Sequence, residues 1–176
     1  MPTNIARKSR AGIEVLKFNQ CPRYLFAFDI QWMYSKQENQ RLKHDFWIAF
    51  AEAYPRKWVL YDTKIKDFSF KFWADNKKAQ VLIDIEMRND ELRHAYFEKM
   101  EALKSILEQD YIQDLVFYRD FTLENGKTIS RIWVEMEGLS ISNRATWPDI
   151  FDFFAHNMQK LEMFYSEFGD YIKTTE

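Results

Sequence analysis

Glycine and cysteine are scarce in this chain of 176 residues. It has four glycines, and no two of them lie close together, which excludes the glycine-rich loops that bind phosphates and dinucleotides. Its single cysteine, Cys21, excludes an internal disulfide and a zinc site built from cysteines. A lone cysteine also fits a reducing compartment, so we expect a cytoplasmic protein.

Long hydrophobic runs and an excess of one charge are also missing. Every apolar run is too short to form a membrane-spanning helix, so we expect no membrane association. The 25 Lys and Arg nearly balance the 27 Asp and Glu, and a net charge of −2 gives no general attraction to nucleic acid. Aromatic residues make up 18% of the chain, enough to build a large core, which excludes global disorder.

The first 32 residues differ in composition from the rest. They carry five basic residues against two acidic ones, whereas the remainder is acidic. We therefore predict that residues 1–32 form an N-terminal extension and that residues 33–176 form a single domain. One hypothesis is that Met33 is the native start. The alternative is a genuine extension that carries one short strand at residues 24–30.

The first two main helices begin at clear capping signals. Ser35 and Glu38 form a capping box that predicts the start of the first helix, and Pro55 predicts its end. Asn89 precedes two acidic residues and predicts the start of the second helix, because an Asn side chain accepts from the free backbone N–H groups of a first turn.

The last helix has an unusually broad apolar surface. Thr146 and Asp149 form a second capping-box pair around Pro148, a residue that the first turn tolerates. Its apolar positions exceed one stripe: Phe151, Phe153, Phe154, Met158, Met163, Phe164 and Phe168. Such a helix is either central within the chain or shared with a second copy, so a homodimer through this helix is one open alternative.

Strands and hairpins fill the remaining sequence. Residues 58–61 form a short apolar run of β type. Residues 67–73 and 79–87 alternate between apolar and polar and predict a hairpin around Asp75-Asn76. A second hairpin turns at Asn125-Gly126. The order is α-β-β-β-α-β-β-α, which predicts an α+β domain with a mostly antiparallel sheet built from two hairpins.

The acidic residues of the first hairpin are the candidate catalytic and metal-binding residues. The turn places Asp67 opposite Asp84, with Glu86 on the same face and Arg88 two residues further on. Carboxylate oxygens suit Mg²⁺, and this order of elements resembles the restriction-endonuclease-like core. Arg88 stands where that arrangement needs a lysine, and arginine is a poor base because it stays protonated. The alternative is a solvated face whose acids are offset by neighbouring lysines.

The second hairpin carries the candidate binding surface. Its turn places Tyr118 opposite Trp133 and Asp120 opposite Arg131, all on one face, and it assigns Phe121 to the core face. Aromatic rings beside an arginine stack on bases or anchor a protein partner. The alternative is structural, with Asp120 and Arg131 as a simple cross-strand ion pair.

Several sequence blocks occur in the same order as in a known family. The blocks are FW at 46–47, YDTKIKDF at 61–68, IDIE at 83–86, ENGK at 124–127, and TWP at 146–148 followed by FDFF at 151–154. With them the chain resembles the bacterial family called domain of unknown function 4268, over about residues 33–176. The resemblance supports the domain boundary and implies no established activity, although longer relatives join such a domain to nuclease-like segments.

Taken together, the sequence favours a non-catalytic binding or interaction module that needs no cofactor. Its partner is left open, with a homodimer as one possibility. The alternative is a divergent or inactive metal-dependent nuclease-like domain that would hold Mg²⁺ with Asp67, Asp84 and Glu86. Nucleic acid is a partner only under that alternative or through stacking on the second hairpin.

Overall fold

The computed structural model describes residues 23–174, with side chains from residue 36 onward. The described residues divide into two units, with the boundary between Glu38 and Asn39. The second unit contains the sheet, the later part of the first helix and the helices that follow it in the chain. Residues 1–22, including Cys21, lie outside the described residues, so the proposed extension over 1–32 stays a prediction.

Four strands and four α-helices follow one another within residues 23–174. The α-helices are α1 (Arg23–Ala53), α2 (Asp90–Ala102), the short α3 (Lys104–Ile106) and α4 (Trp147–Lys173). The strands are β1 (Phe68–Ala74), β2 (Lys78–Ile85), β3 (Val116–Thr122) and β4 (Thr128–Glu137). They form one antiparallel sheet in the order β1-β2-β4-β3. The predicted α+β class and the two hairpins are confirmed.

Helix α1 begins earlier than the sequence indicates. It starts at Arg23, so the strand predicted at residues 24–30 is wrong and those residues are helical. The helix passes through Ser35 and Glu38 without an N-terminus there, so no free first turn exists for that capping box. Its end is confirmed, because the last helical residue, Ala53, lies just before Pro55.

Residues 58–61 form a loop, so the strand predicted there is wrong. Leu60 has a φ of +37°, and the N–H of Asp62 donates to the carbonyl oxygen of Val59 at 2.7 Å, which closes a turn. A single backbone bond joins this loop to the sheet, from the N–H of Phe70 to the Leu60 oxygen at 2.9 Å. The turn at Leu60 breaks the extended backbone that a longer ladder needs.

The first hairpin turns one residue later than predicted. The N–H of Asp75 donates to the Lys78 oxygen at 3.0 Å, and the Asp75 carboxylate accepts from the N–H groups of Lys77 and Lys78. The two turn residues are therefore Asn76-Lys77, and Phe70 pairs with Ile83. This register differs by two residues from the predicted one, which keeps every side chain on its predicted face.

The helix starts differ in their capping. The Asn89 side chain accepts from the N–H of Leu92 at 2.9 Å, which confirms it as the cap of α2. Thr146 instead donates its hydroxyl to the carbonyl oxygens of Ser140 and Asn143, so the capping box predicted with Asp149 is wrong. Pro148 lies in the first turn of α4, as predicted.

The core lies between one face of the sheet and the helices. Aromatic pairs join the strands to α1, α2 and α4: Phe50–Phe72, Phe68–Tyr96, Phe97–Phe117, Phe72–Phe154 and Phe70–Tyr165. Most of the broad apolar surface of α4 is buried in this core. Phe151, Phe153, Phe154, Met158 and Phe164 are buried, whereas Met163 is 58% exposed. Helix α4 is thus central within the chain, and the homodimer stays a prediction.

Within residues 23–174, no helix is long and apolar enough to cross a membrane.

Candidate functional site on the outer face of the sheet

The face of the sheet opposite the helices combines charged and aromatic side chains, and we call it the outer face. Side chains alternate along a strand, so the residues between the core positions all point to this face. Its members include Lys71 and Trp73 of β1, Lys78, Gln80, Leu82 and Asp84 of β2, Arg131, Trp133 and Glu135 of β4, and Tyr118 and Phe121 of β3.

A bulge in β3 decides which residues of the second hairpin reach this face. Tyr118 pairs with Arg131, but Phe121 pairs with Ile129, so the ladder shifts between Tyr118 and Phe121. The predicted pairs of Tyr118 with Trp133 and of Asp120 with Arg131 are therefore wrong. A bulge inserts one residue and reverses the alternation beyond it. The Phe121 ring consequently joins the outer face, 6.1 Å from the Trp133 ring.

The hairpin loop contributes to the shift. The N–H of Leu123 donates to the Lys127 oxygen at 2.9 Å, which leaves a loop of three residues instead of the predicted two. Gly126 has a φ of +81°, a conformation that glycine adopts without cost. A three-residue loop that ends in a left-handed glycine is a common hairpin connection, and it moves the register by one residue relative to an Asn-Gly turn.

Asp120 turns away from the outer face towards α2. Its carboxylate accepts from Arg93 at 2.6 Å and lies 2.9 Å from the His94 ring nitrogen. The hydrogen bonds from His94 and Arg93 hold the pKa of Asp120 below its ordinary value. Asp120 therefore links β3 to a helix and does not line the candidate binding surface.

Asp84 is the centre of an ion-pair network on the outer face. It is 1% exposed, and Arg131 donates to both of its oxygens through Nε at 2.6 Å and Nη2 at 2.8 Å. Lys71 donates to Asp84 at 2.9 Å and also to Glu86, which accepts from Lys127 at 2.6 Å. Cations and carboxylates thus alternate along the network.

The network favours the charged forms of Glu86 and Lys71. Burial acts to raise the pKa of Glu86, but the hydrogen bonds from Lys127 and Lys71 outweigh it, so this pKa lies below its ordinary value. Burial likewise acts to lower the pKa of Lys71, but its carboxylate partners outweigh burial and raise it. Carboxylates satisfied by ammonium and guanidinium groups have few lone pairs left for a metal ion.

The structure does not bring Asp67 beside Asp84, as the predicted register required. Asp84 pairs with Ser69, and Asp67 lies at the level of Glu86, whose N–H donates to the Asp67 backbone oxygen at 2.7 Å. Asp67 and Arg88 line a separate groove near the start of α2. Among the side chains that the structure describes, no group of three His, Cys, Asp or Glu is placed to hold a metal ion.

A groove of about 640 Å³ lies on the outer face beside the network. Its lining comes from all four strands and includes Trp73, Lys78, Gln80, Phe121, Arg131 and Trp133. Residues 122–125, from the end of β3 into the loop that follows, lie at one end. Trp73 is 37% exposed. The Arg131 guanidinium lies 4.7 Å from the centre of the Phe121 ring, a cation–π distance. The groove therefore combines aromatic surface with fixed polar groups.

Three hydrogen-bond donors in the groove converge on one oxygen atom. Lys78 Nζ at 2.7 Å, Gln80 Nε2 at 2.6 Å and Trp133 Nε1 at 3.2 Å all donate to Glu135 Oε2. The hydrogen bond from Lys78 is the main cause that keeps the pKa of Glu135 below its ordinary value. This part of the groove is rich in donors, and those donors are already oriented towards an acceptor.

Sequence reasoning found part of this groove. Arg131 and Trp133 were candidate binding residues and lie in it, and Tyr118 lies nearby, with its ring 5.8 Å from that of Phe121. Trp73 and Gln80 were missed, although the alternation of their strands places both opposite the core. The position of Phe121 on the outer face could not be predicted, because the apolar pattern of the sequence does not indicate the bulge that places it there.

The fold and the outer face define an α+β protein with helices on one side of an antiparallel sheet and a polar, aromatic surface on the other. A family model described as "Domain of unknown function (DUF4268)" matches residues 42–169. The chain therefore belongs to this family, and the resemblance drawn from its sequence blocks is confirmed. No curated protein and no solved structure matches the chain.

Proposed function

We propose that this chain is a cytoplasmic, non-catalytic binding module and that it binds its ligand in the groove on the outer face. One observation carries the proposal. Trp73, Phe121 and Trp133 come from three different strands and line one groove on the side of the sheet opposite the helices. Aromatic and arginine side chains at the centre of a surface patch supply most of the energy in typical interfaces.

The ion pairs beside the groove support binding over hydrolysis. Lys71 lies between Asp84 and Glu86 and donates to both, in the place where a metal ion would have to contact the two carboxylates. The network instead fixes the outer face as a rigid floor, and a preorganised surface binds with a smaller loss of side-chain entropy.

The test is a fragment screen read out by fluorine NMR. The six tryptophans are replaced by 5-fluorotryptophan, and single Trp→Phe variants assign the resonances. A fragment of about 14 heavy atoms at roughly −0.3 kcal/mol per atom binds with a Kd on the order of 1 mM. We expect ring-bearing fragments to shift the Trp73 and Trp133 resonances.

Variants then show that the shifts come from the groove. Trp133→Ala should weaken fragment binding about tenfold at Trp73, since burial of one aromatic ring is lost. Tyr171→Ala removes an exposed ring on α4, far along the chain from the groove residues, and should leave binding unchanged. Fragments that shift only other tryptophans, such as Trp58, would show that the groove is not the binding surface.

A further inference from the structure

We infer that the groove binds a short, uncharged polyproline-II segment of a partner protein. This inference rests on the proposed function, because it names the ligand class for the same groove. Three properties of the described residues carry it: the charge of the outer face, the span of the groove, and the donors on its floor.

Charge favours an uncharged ligand. Each of the four cations on and beside the groove is already paired with a carboxylate: Lys71 and Arg131 with Asp84, Lys78 with Glu135, and Lys127 with Glu86. A phosphate backbone would have to displace these carboxylates, and the net charge of −2 provides no attraction at long range. A peptide without net charge leaves every pair intact.

The span of the groove suits a short extended peptide. Its lining reaches from Trp73 on β1 to Phe121 on β3, which are the two edge strands of the sheet. Three strand spacings of roughly 4.8 Å make a path of about 14 Å. A polyproline-II helix rises about 3.1 Å per residue, so about five residues cover that path.

The floor of the groove offers donors, and proline segments offer acceptors. Lys78, Gln80 and Trp133 each donate one N–H group to Glu135, which uses the single N–H of the indole. The Lys78 ammonium has two further N–H groups and the Gln80 amide has one, and these can donate to a ligand. A proline residue has a carbonyl oxygen but no N–H group, so a proline segment accepts from such donors and leaves no donor of its own unsatisfied. Proline rings pack against aromatic side chains, and aromatic-lined grooves are the known mode of polyproline-II recognition.

The inference is tested by titrating the fluorotryptophan-labelled chain with three probes. These are acetylated and amidated decaproline, a Gly-Ser repeat peptide of the same length, and a ten-nucleotide oligothymidine. We expect decaproline to shift the Trp73 and Trp133 resonances saturably, and the flexible Gly-Ser peptide to leave them unchanged. Binding should be equal at ~50 mM and ~200 mM salt, because no phosphate contact is involved.

Two substitutions separate stacking from hydrogen bonding. Trp133→Ala should weaken decaproline binding about tenfold or more, read at Trp73. Gln80→Met keeps the length of the side chain but removes its amide donor, and it should weaken binding about fivefold, the usual effect of one hydrogen bond. Tyr171→Ala is the matched control and should bind as the unchanged chain does.

The failure of this inference differs from the failure of the proposed function. Stronger binding of oligothymidine than of decaproline, lost at higher salt, would overturn the peptide assignment and make the groove a nucleic-acid surface. Fragments that bind while decaproline does not would also overturn the peptide assignment. Absence of both fragment and decaproline binding at Trp73 and Trp133 would overturn the proposed function itself.

Discussion

Asp84 shows at the residue scale how the outer face is stabilised. Its buried carboxylate neutralises Arg131 and Lys71, whose side chains are themselves mostly covered. Asp84→Ala would leave both cations without this partner, and removal of one partner from a buried pair typically costs about 3–5 kcal/mol. We expect the free energy of unfolding, measured by urea titration, to fall by that amount.

A second substitution separates charge from packing at this position. Asp84→Asn keeps the shape and one acceptor oxygen, so it provides a milder variant if Asp84→Ala fails to fold. The double variant Asp84→Ala with Arg131→Ala should lose clearly less stability than the sum of the losses in the two single variants. Asp84→Ala leaves the Arg131 charge without this partner, and Arg131→Ala then removes that charge. Additive losses would contradict the role of this pair.

The acidic residues of the first hairpin also predict a response to metal ions. Because the Lys71 ammonium donates to both Asp84 and Glu86, Mg²⁺ must displace it in order to bind there. We expect ~10 mM Mg²⁺ to leave the Tm unchanged, whereas an ion with a Kd near ~1 mM would add roughly 1.4 kcal/mol of stability. A rise in Tm that Asp84→Asn abolishes would support the nuclease-like alternative instead.

At the scale of elements, Lys99 of α2 holds the end of α4. Its ammonium donates to the backbone oxygens of Tyr171 at 3.1 Å, Ile172 at 3.3 Å, and also Thr174. The last carbonyl groups of a helix have no partner within it, and a cation there typically contributes about 0.3–1 kcal/mol.

Lys99→Met should therefore loosen the last turn of α4. We expect hydrogen exchange of the amides at residues 170–174 to become faster, and the free energy of unfolding to fall by about 1 kcal/mol or less. Lys43→Met, at an exposed position of α1, is the matched control and should change neither quantity. Unchanged exchange at 170–174 in Lys99→Met would show that the helix end does not depend on this contact.

The β3 bulge is the element that shapes the groove. Sequence alternation assigns Phe121 to the core and Asp120 to the outer face, and the bulge reverses both assignments. Alternation is a reliable guide only while each residue of one strand faces one residue of the next, and a bulge ends that correspondence. Phe121, one of the three aromatic residues that line the groove, thus reaches it only because of this irregularity.

At the scale of the whole molecule, paired carboxyl groups make stability depend on pH. The pKa values of Glu86 and Glu135 are lower in the folded chain than their ordinary values. Such groups stabilise the folded state above their unfolded pKa, near ~4.3 for Glu, and this contribution is lost as the pH falls through the folded pKa. The free energy of unfolding should be flat from pH 7 to about 5 and fall below about pH 4.5.

Glu86→Gln isolates one part of this dependence. The substitution removes a titrating group, so urea titrations at a series of pH values should show a shallower decrease below about pH 4.5 than the unchanged chain shows. Glu91→Gln replaces an exposed glutamate in the first turn of α2 and serves as the control. Equal slopes for Glu86→Gln and the unchanged chain would exclude Glu86 from the acid response.

The sequence by itself determined the two hairpins, the three main helices, the fold class and the family. Local signals suffice for these: the Asn89 cap, the end of α1 before Pro55, and the alternation of β1 and β2 are all properties of a few neighbouring residues. The start of α1 was predicted wrongly, because Ser35 and Glu38 also occur in the interior of a helix and do not by themselves fix its first residue.

Only the tertiary structure decided the registers and therefore the groove. A shift of two residues preserves the face of every side chain, so the hydrophobic pattern cannot distinguish the true pairing of β1 with β2 from the predicted one. The pairing of β2 with β4 joins strands from different hairpins, and it alone brings Arg131 to Asp84 and Glu135 to Gln80. Contacts between distant parts of the chain are set by packing of the whole sheet, which no local pattern encodes.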